Sequence, residues 1–305
     1  MRAVVTGASS MIASSLIRLL VSNGHEVFAF VRPCSEKLDN LIKSDSVHII
    51  EAELSDMLSA KSKIGCDCDV LFHFAWSGTG GAMRSNAEIQ QKNVQYTLDA
   101  VELAKQLNCK TFVGAGSQAE YGRAVGKLTP DTPCNPENEY GRAKFEAGEK
   151  SRELAKNYGI KHIWLRVLSV YGVGDNDFTI TVSSLKKLLN GKTAEFTPAE
   201  QLWDFLYCDD AANAFYLAAL KGKNGAVYTL GSGEAKPLKD YIEIMRKNAG
   251  GEIKLGALPY NENQVMYLCA DISELTADTG FKPQIGYEEG IRRTINWLKE
   301  VKSNG

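Results

Sequence analysis

No apolar run in this chain reaches the roughly 18 residues that a bilayer crossing requires, so no membrane-spanning helix is expected. Neither charge sign dominates. Thirty-five Lys and Arg against 37 Asp and Glu leave a formal charge of −2, which argues against a nucleic-acid or membrane-surface partner. Metal-ligand spacing is lacking as well. His25, His48, His73 and His162 form no cluster, and of the seven cysteines, spread from Cys34 to Cys269, only Cys66 and Cys68 lie close together. A C-x-C without a second pair is poor metal spacing, so no metal is expected and the thiols read as reduced. There is no leader-like segment, no repeat, no low-complexity tract and no evident linker, and a cytoplasmic protein is expected.

What is present is a chain of 305 residues, 44% hydrophobic, with ample material for a core in one large or two small domains. Short apolar runs alternate with helical stretches: RAVVTG, HEVFAFV, VHIIEAE, DVLFHFA, KTFVGAG, KHIWLRV and AVYTLG read as strands. Between the first two, Ala13, Leu16, Ile17, Leu20 and Val21 share one helical face, closed by Asn23-Gly24. Long helices are expected near residues 86–108 and 139–157. Apolar strands alternating with helices imply an α/β, doubly wound parallel sheet covered on both faces, the Rossmann arrangement. After about residue 170 the pattern becomes loop-rich. We expect a dinucleotide-binding domain over 1–170, completed by about 205–231, and a smaller discontinuous substrate lobe from 171–204 and 232–305.

The opening MRAVVTGASSMIASSL has the strand-turn-helix order of a dinucleotide fingerprint but a single glycine, Gly7. On these residues alone, a phosphate-binding turn and a structural polar turn stand equally open. The second strand ends in Val31-Arg32, with no acid until Glu36. A carboxylate near that point holds the 2′-hydroxyl of NAD, whereas a guanidinium suits the 2′-phosphate of NADP. The plain alternative is a solvated arginine. Of twelve tyrosines only Tyr140 has a lysine four residues on, Lys144, which puts both on one helical face. The plain reading there is a core tyrosine beside an exposed lysine. Asp209-Asp210 reads as a helix start rather than a metal site.

Taken together these segments resemble the extended short-chain dehydrogenase/reductase family. Its turn reads T-G-x-x-G-x-x-G; Thr6-Gly7 match, while Ser10 and Ala13 stand at the second and third glycines. The resemblance implies cofactor contacts from Gly7, Ser9, Ser10, Met11, Ile12, Arg32, Glu53, Leu54, Phe74, Ala75, Trp76, Lys144 and Leu168. It also implies a catalytic set of Ser117, Tyr140 and Lys144. Tyr140 would exchange the proton and Ser117 would hydrogen-bond the reacting oxygen, while Lys144 would lower the phenol's pKa and hold the nicotinamide ribose.

The family's 4,6-dehydratases carry an Asp and a Glu where this chain has Gln118 and Ala119, and its epimerising reductases carry a cysteine at Ala119. The resemblance therefore points to NADPH-dependent reduction of the C4 ketone of a nucleotide-linked 4-keto-6-deoxyhexose, with NAD(H) the less favoured cofactor. The sugar would meet Gln118, Ser169 and Tyr171, and the nucleotide would run under Phe178, Trp203 and Asn261. Arginines usual near Trp203 and Asn261 are missing, and Ser169 stands where 4-epimerases often carry asparagine. The alternatives are reduction of a small non-nucleotide ketone, a sugar-nucleotide 4-epimerase, or a non-catalytic NADP sensor. Homodimerisation through the two long helices is a further implication of the resemblance.

Overall fold

All seven apolar runs become strands of one parallel sheet. The computed structural model describes residues 1–35 and 37–303, so Glu36 lies outside the described residues. The strands β1 (Arg2–Thr6), β2 (Glu26–Val31), β3 (Val47–Glu51), β4 (Val70–His73), β5 (Thr111–Ser117) and β6 (Lys161–Val167) are joined by an edge strand, Val227–Leu230. The spatial order is the edge strand, β6, β5, β4, β1, β2, β3. Every pairing is parallel.

The period-2 side-chain alternation of these strands feeds two separate cores. Ala3, Val5, Val27, Ala29 and Val31 point to one face, where α1 (Met11–Ser22) packs on α5 (Cys208–Lys221). Val4, Phe28 and Phe30 point to the other face, which α2 (Ala87–Gln106) and α3 (Glu139–Asn157) cover. The apolar stripe of α1 is the expected one. Ala13, Leu16, Ile17 and Leu20 are fully buried, and the helix stops at Asn23, with Gly24 at φ +73°.

Beyond β6 the chain builds a third core from α4 (Ile180–Leu189), α6 (Leu238–Ala249) and α8 (Tyr287–Ser303). Rings from distant segments meet there: Tyr171, Phe205, Tyr241 and Tyr287 lie with centroids 4.5–5.8 Å apart. Leu275 of α7 (Ser273–Thr279) and Phe281 join the sheet's first core beside α5 instead, so the last third of the chain serves both bodies. Asp210 fixes that connection, its carboxylate accepting from the backbone N–H groups of Gln284 (3.0 Å) and Ile285 (2.8 Å). Asp209 bonds the Ser15 hydroxyl and pairs with Arg18 and Arg293. Both acids therefore serve the start of α5, a structural role.

Candidate active site

The strand order reverses between β1 and β4, and in open parallel sheets ligands bind beyond the carboxyl ends of the strands at such a point. Gly7 sits there at φ +66°, and a Cβ on it would lie 2.7 Å from the backbone nitrogen of Ala75. Only glycine fits a left-handed turn pressed this closely against the end of β4. The turn is tied to β2 by the Ala8 N–H bonding the Phe30 carbonyl at 3.1 Å. Below it His73 bonds Thr6 (2.8 Å) and Thr97 (3.3 Å), and burial pushes its pKa down to about 3, so it is a neutral strut.

Helix α1 begins with Ser10 as N-cap, and the Ser10 hydroxyl makes no capping bond. The first amides of the helix are thus left without an intrahelical or capping partner at the mouth of a cleft, which is what an anion requires. That cleft, about 480 Å³, is lined by Gly7, Ser9, Ser10, Met11, Arg32, Glu53, Leu54, Phe74, Ala75 and Trp76 among others. Ten of the residues expected at the cofactor therefore share one cavity. Lys37 also lines it, with its ammonium donating to the Asn176 side chain at 2.7 Å. Ile12 packs against the core under α1. Ala13, at the third glycine position, is fully buried there, and the missing glycine costs nothing visible in packing.

Ser117 ends β5 and caps the short turn Gln118–Glu120. Its hydroxyl accepts from Ala119 N–H at 3.2 Å, and its own N–H donates to Glu120 at 2.8 Å, a capping box written in the sequence as S-x-x-E. Tyr140 and Lys144 lie in the first turns of α3, which starts at Asn138, whose side chain accepts from Gly141 N–H at 2.8 Å. A Cβ on Gly141 would fall 2.3 Å from the Ala119 carbonyl, so this glycine lets α3 approach the turn and brings Tyr140 to Ser117. Burial pushes the Tyr140 phenol up, while the Ser117 hydroxyl and the Arg84 guanidinium pull it back. Lys144 is buried, donates to the Ala115 carbonyl at 2.7 Å, and has its ammonium 3.7 Å from the centre of the Trp76 ring. Desolvation pushes its pKa down to about 7.

A second cleft, about 600 Å³, is lined by Leu168, Ser169, Tyr171, Asp175, Lys187 and Trp203 among others, and Ser117, Tyr140 and Lys144 line neither cleft. Leu168 was expected at the cofactor; directly after β6, it faces this second cleft instead. Trp203 donates its indole N–H to Ser169 at 2.7 Å, so each occupies the other's polar group. The Tyr171 hydroxyl is likewise engaged, bonding the Tyr287 carbonyl at 3.1 Å within the aromatic core. Gln118, Phe178 and Asn261 line neither cleft. Phe178 is 69% exposed and rests against Gly80, and Asn261 lies on an exposed loop.

Two groups escaped the sequence reading. Glu120 is buried and accepts from Ser117 N–H, from the Trp164 indole (3.1 Å) and from Arg166 (2.7 Å). The S-x-x-E pattern was its available signal. Arg84 lays its guanidinium over the Tyr140 ring at 4.0 Å from the centroid; no sequence pattern marks it.

A glycine-cradled anion site at the switch point, linked through Trp76 to a buried Ser-Tyr-Lys set, defines a nicotinamide-dinucleotide enzyme of the extended short-chain dehydrogenase/reductase type. Comparison with known proteins makes this specific: the model of the NAD dependent epimerase/dehydratase family matches residues 3–231, and the chain belongs to that family. The chain is 26% identical to the CDP-abequose synthase of Salmonella muenchen, over 97% of each chain. It is also 26% identical to a putative UDP-glucose 4-epimerase of Methanocaldococcus jannaschii, over 97% of this chain and 98% of that one. In fold it is similar to the UDP-glucuronic acid 4-epimerase of Bacillus cereus in complex with NAD, with TM-score 0.85, 23% identity and 99% of both chains covered. Among the described residues no helix is long and apolar enough to cross a membrane, and no three His, Cys, Asp or Glu side chains are grouped to hold a metal ion.

Proposed function

We propose that this enzyme reduces the C4 ketone of a nucleotide-linked 4-keto-6-deoxyhexose with NADPH. The observation that carries the cofactor choice is the end of β2, where Arg32 lines the first cleft and no carboxylate follows through residue 35. A guanidinium there favours a 2′-phosphate. The amides at the start of α1, freed by the uncapped Ser10, suit the pyrophosphate, and Trp76 with Ala75 and Phe74 suits the ring end. A bound nicotinamide dinucleotide supplies the hydride. Tyr140 gives its phenolic proton to the oxygen formed at C4, and Ser117 hydrogen-bonds that oxygen before and after the transfer. Lys144, whose pKa of about 7 lets it change charge near neutrality, returns a proton toward Tyr140. Gln118 and Ala119 offer no acid for water elimination.

A 4-epimerase of a nucleotide sugar is the second reading, favoured by the relatives named as epimerases and by the NAD in the Bacillus cereus structure. One experiment separates the two. The purified protein is assayed with NADPH and 4-keto-6-deoxyglucose linked to TDP, CDP, GDP or UDP, and with UDP-sugars alone. Oxidation of NADPH supports the reductase. Interconversion of UDP-sugars with no net change in the reduced-nicotinamide absorbance overturns it.

The free cysteines suit a reducing compartment such as the cytoplasm. Pairing of two copies through α2 and α3 would join faces without an exposed large apolar side chain but rich in ion pairs such as Lys92–Glu88 and Lys150–Glu146. Because these pairs are each closed within one helix, such a dimer should change little as salt rises from about 0.05 to 1 M. Light scattering at both salts checks this, and a monomer at low salt removes the dimer.

A further inference from the structure

We propose that Arg84 is a positioning residue that supplies the fixed positive charge beside the Tyr140 phenol. This rests on the reading of Tyr140 as the proton donor. The loop after β4 that carries Arg84 is built in place rather than draped over the site. Gln90, buried in α2, accepts from the Trp76 indole at 2.8 Å and donates to the Gly78 and Met83 carbonyls, both at 2.9 Å. Asn93, one turn on, exchanges two bonds with the backbone of Ser77, at 2.8 and 2.9 Å. Arg84 itself donates to the Thr79 carbonyl at 3.2 Å, which orients its guanidinium onto the face of Tyr140. Two buried amides thus position a loop whose last side chain covers the reactive phenol.

Lys144 is less well placed for that task. Its ammonium lies 5.9 Å from the Tyr140 centroid, against 4.0 Å for the guanidinium, and it is engaged by Trp76 and Ala115. It also loses charge from about pH 7 upward, whereas a guanidinium keeps its charge throughout. The remaining groups around the phenol are few. From β5 and its turn come the neutral Ser117 hydroxyl and Glu120, whose negative charge opposes ionisation of Tyr140 but is shared with Arg166 of β6. On α3, Glu139 and Arg142 pair with each other at the surface. Arg84 therefore sets its cationic group nearer the Tyr140 ring than Lys144 does, and a nearby opposite charge lowers an acid's pKa by about 1–3 units.

The test reads Tyr140 directly in the cofactor-free protein, so it does not depend on turnover. Tyrosine labelled with 13C at Cζ is titrated by NMR to pH 11, and Tyr140 is assigned by its absence in Tyr140→Phe. Because burial already holds the wild-type phenol above its ordinary value, Arg84→Gln should move the Tyr140 titration up by about one unit or more, seen as a smaller ionised fraction at pH 11, and Arg84→Lys should recover most of the difference. Thermal melts check that each variant is folded. In the loaded enzyme, the acidic limb of kcat/KM for alcohol oxidation should move up by the same amount. Equal Tyr140 titrations in wild type and Arg84→Gln, including no titration below pH 11 in either, overturn the proposal. Loss of the NMR difference refutes Arg84's role alone; unimpaired turnover in Tyr140→Phe refutes the reading of the site beneath it.

Discussion

Replacing Glu120 by Gln changes one atom type inside a buried pair, and its effect follows from the bonds on each oxygen. One carboxylate oxygen accepts from Ser117 N–H and the Trp164 indole at 2.8 and 3.1 Å, and the other accepts from Arg166 at 2.7 Å. A glutamine amide oxygen can keep the first two bonds, but its NH2 then faces the Arg166 donor. Arg166 is buried and is left with the Pro130 carbonyl at 3.1 Å and the face of Tyr121 at 4.7 Å. Breaking a buried ion pair by removing one partner costs about 3–5 kcal/mol, and these residual contacts put Glu120→Gln near about 3. In urea the midpoint should fall with the m value unchanged, since the surface exposed on unfolding is the same. At about 2 °C per kcal/mol for a chain of this size, the melting temperature should drop by about 6 °C. The double variant Glu120→Gln with Arg166→Met removes both charges while keeping an acceptor for the Ser117 and Trp164 N–H groups, and should recover much of that loss. A loss under about 1 kcal/mol in Glu120→Gln would falsify the assignment of this pair as a charged, desolvated unit, as would a double variant weaker than the sum of the singles.

The remaining predictions concern the clefts. Arg32→Ala should weaken NADPH binding about tenfold, or about 1.4 kcal/mol, and leave NADH unchanged by calorimetry; an unchanged preference rejects the 2′-phosphate assignment. Tyr140→Phe should fold and bind cofactor yet lose about 10²-fold or more in turnover, and wild-type turnover would remove Tyr140 from the chemistry. Asp175, buried in the second cleft and bonded to Asn176 N–H and Thr179, has its carboxyl pushed up to about 6. The folded protein therefore keeps this proton where the unfolded chain has released it. The resulting stability is complete below pH about 4 and is lost as pH rises through 6. Asp175→Asn should thus exceed wild type in stability at pH 7.5 by at most about 3 kcal/mol, with the gap closing near pH 4 in urea titrations. An equal gap at both pH values contradicts this.

The parts legible in the sequence are those whose cause is local. Each strand of the main sheet carries a short, mostly apolar stretch, and α1 declares itself by the spacing of Ala13, Leu16, Ile17 and Leu20. Gly7 was readable because a left-handed turn after a strand has few other uses for a glycine. The glycines of β5 were not, since their reason lies one strand away: a Cβ on Gly114 or Gly116 would sit 2.3–2.4 Å from the flat Trp164 ring. The third core was opaque for the same reason, with Tyr171, Phe205, Tyr241 and Tyr287 brought together from segments spread over more than 100 residues. Arg84 lies in a glycine-rich loop with no periodicity, and its place over Tyr140 depends on two amides in α2. Tyr171 and Leu168 were expected at ligands from their position in the chain, which says nothing of the Tyr287 carbonyl or of the cavity that each side chain meets.

The pairing of α1 with α5 has a consequence for synthesis. Helix α1 ends at residue 22 and the helix that covers it spans Cys208–Lys221, so roughly 200 residues, or roughly 10–40 s at about 5–20 residues per second, separate their emergence from a ribosome. During that interval α1 covers only the β1–β2 part of its face, and the β5–β6 part and the α5 side of α1 have no native cover. The opposite face is closed much earlier, by α2 and α3. The nascent chain therefore passes through a partly covered sheet, and a chain stopped anywhere before residue 207 keeps the β5–β6 part of that face bare.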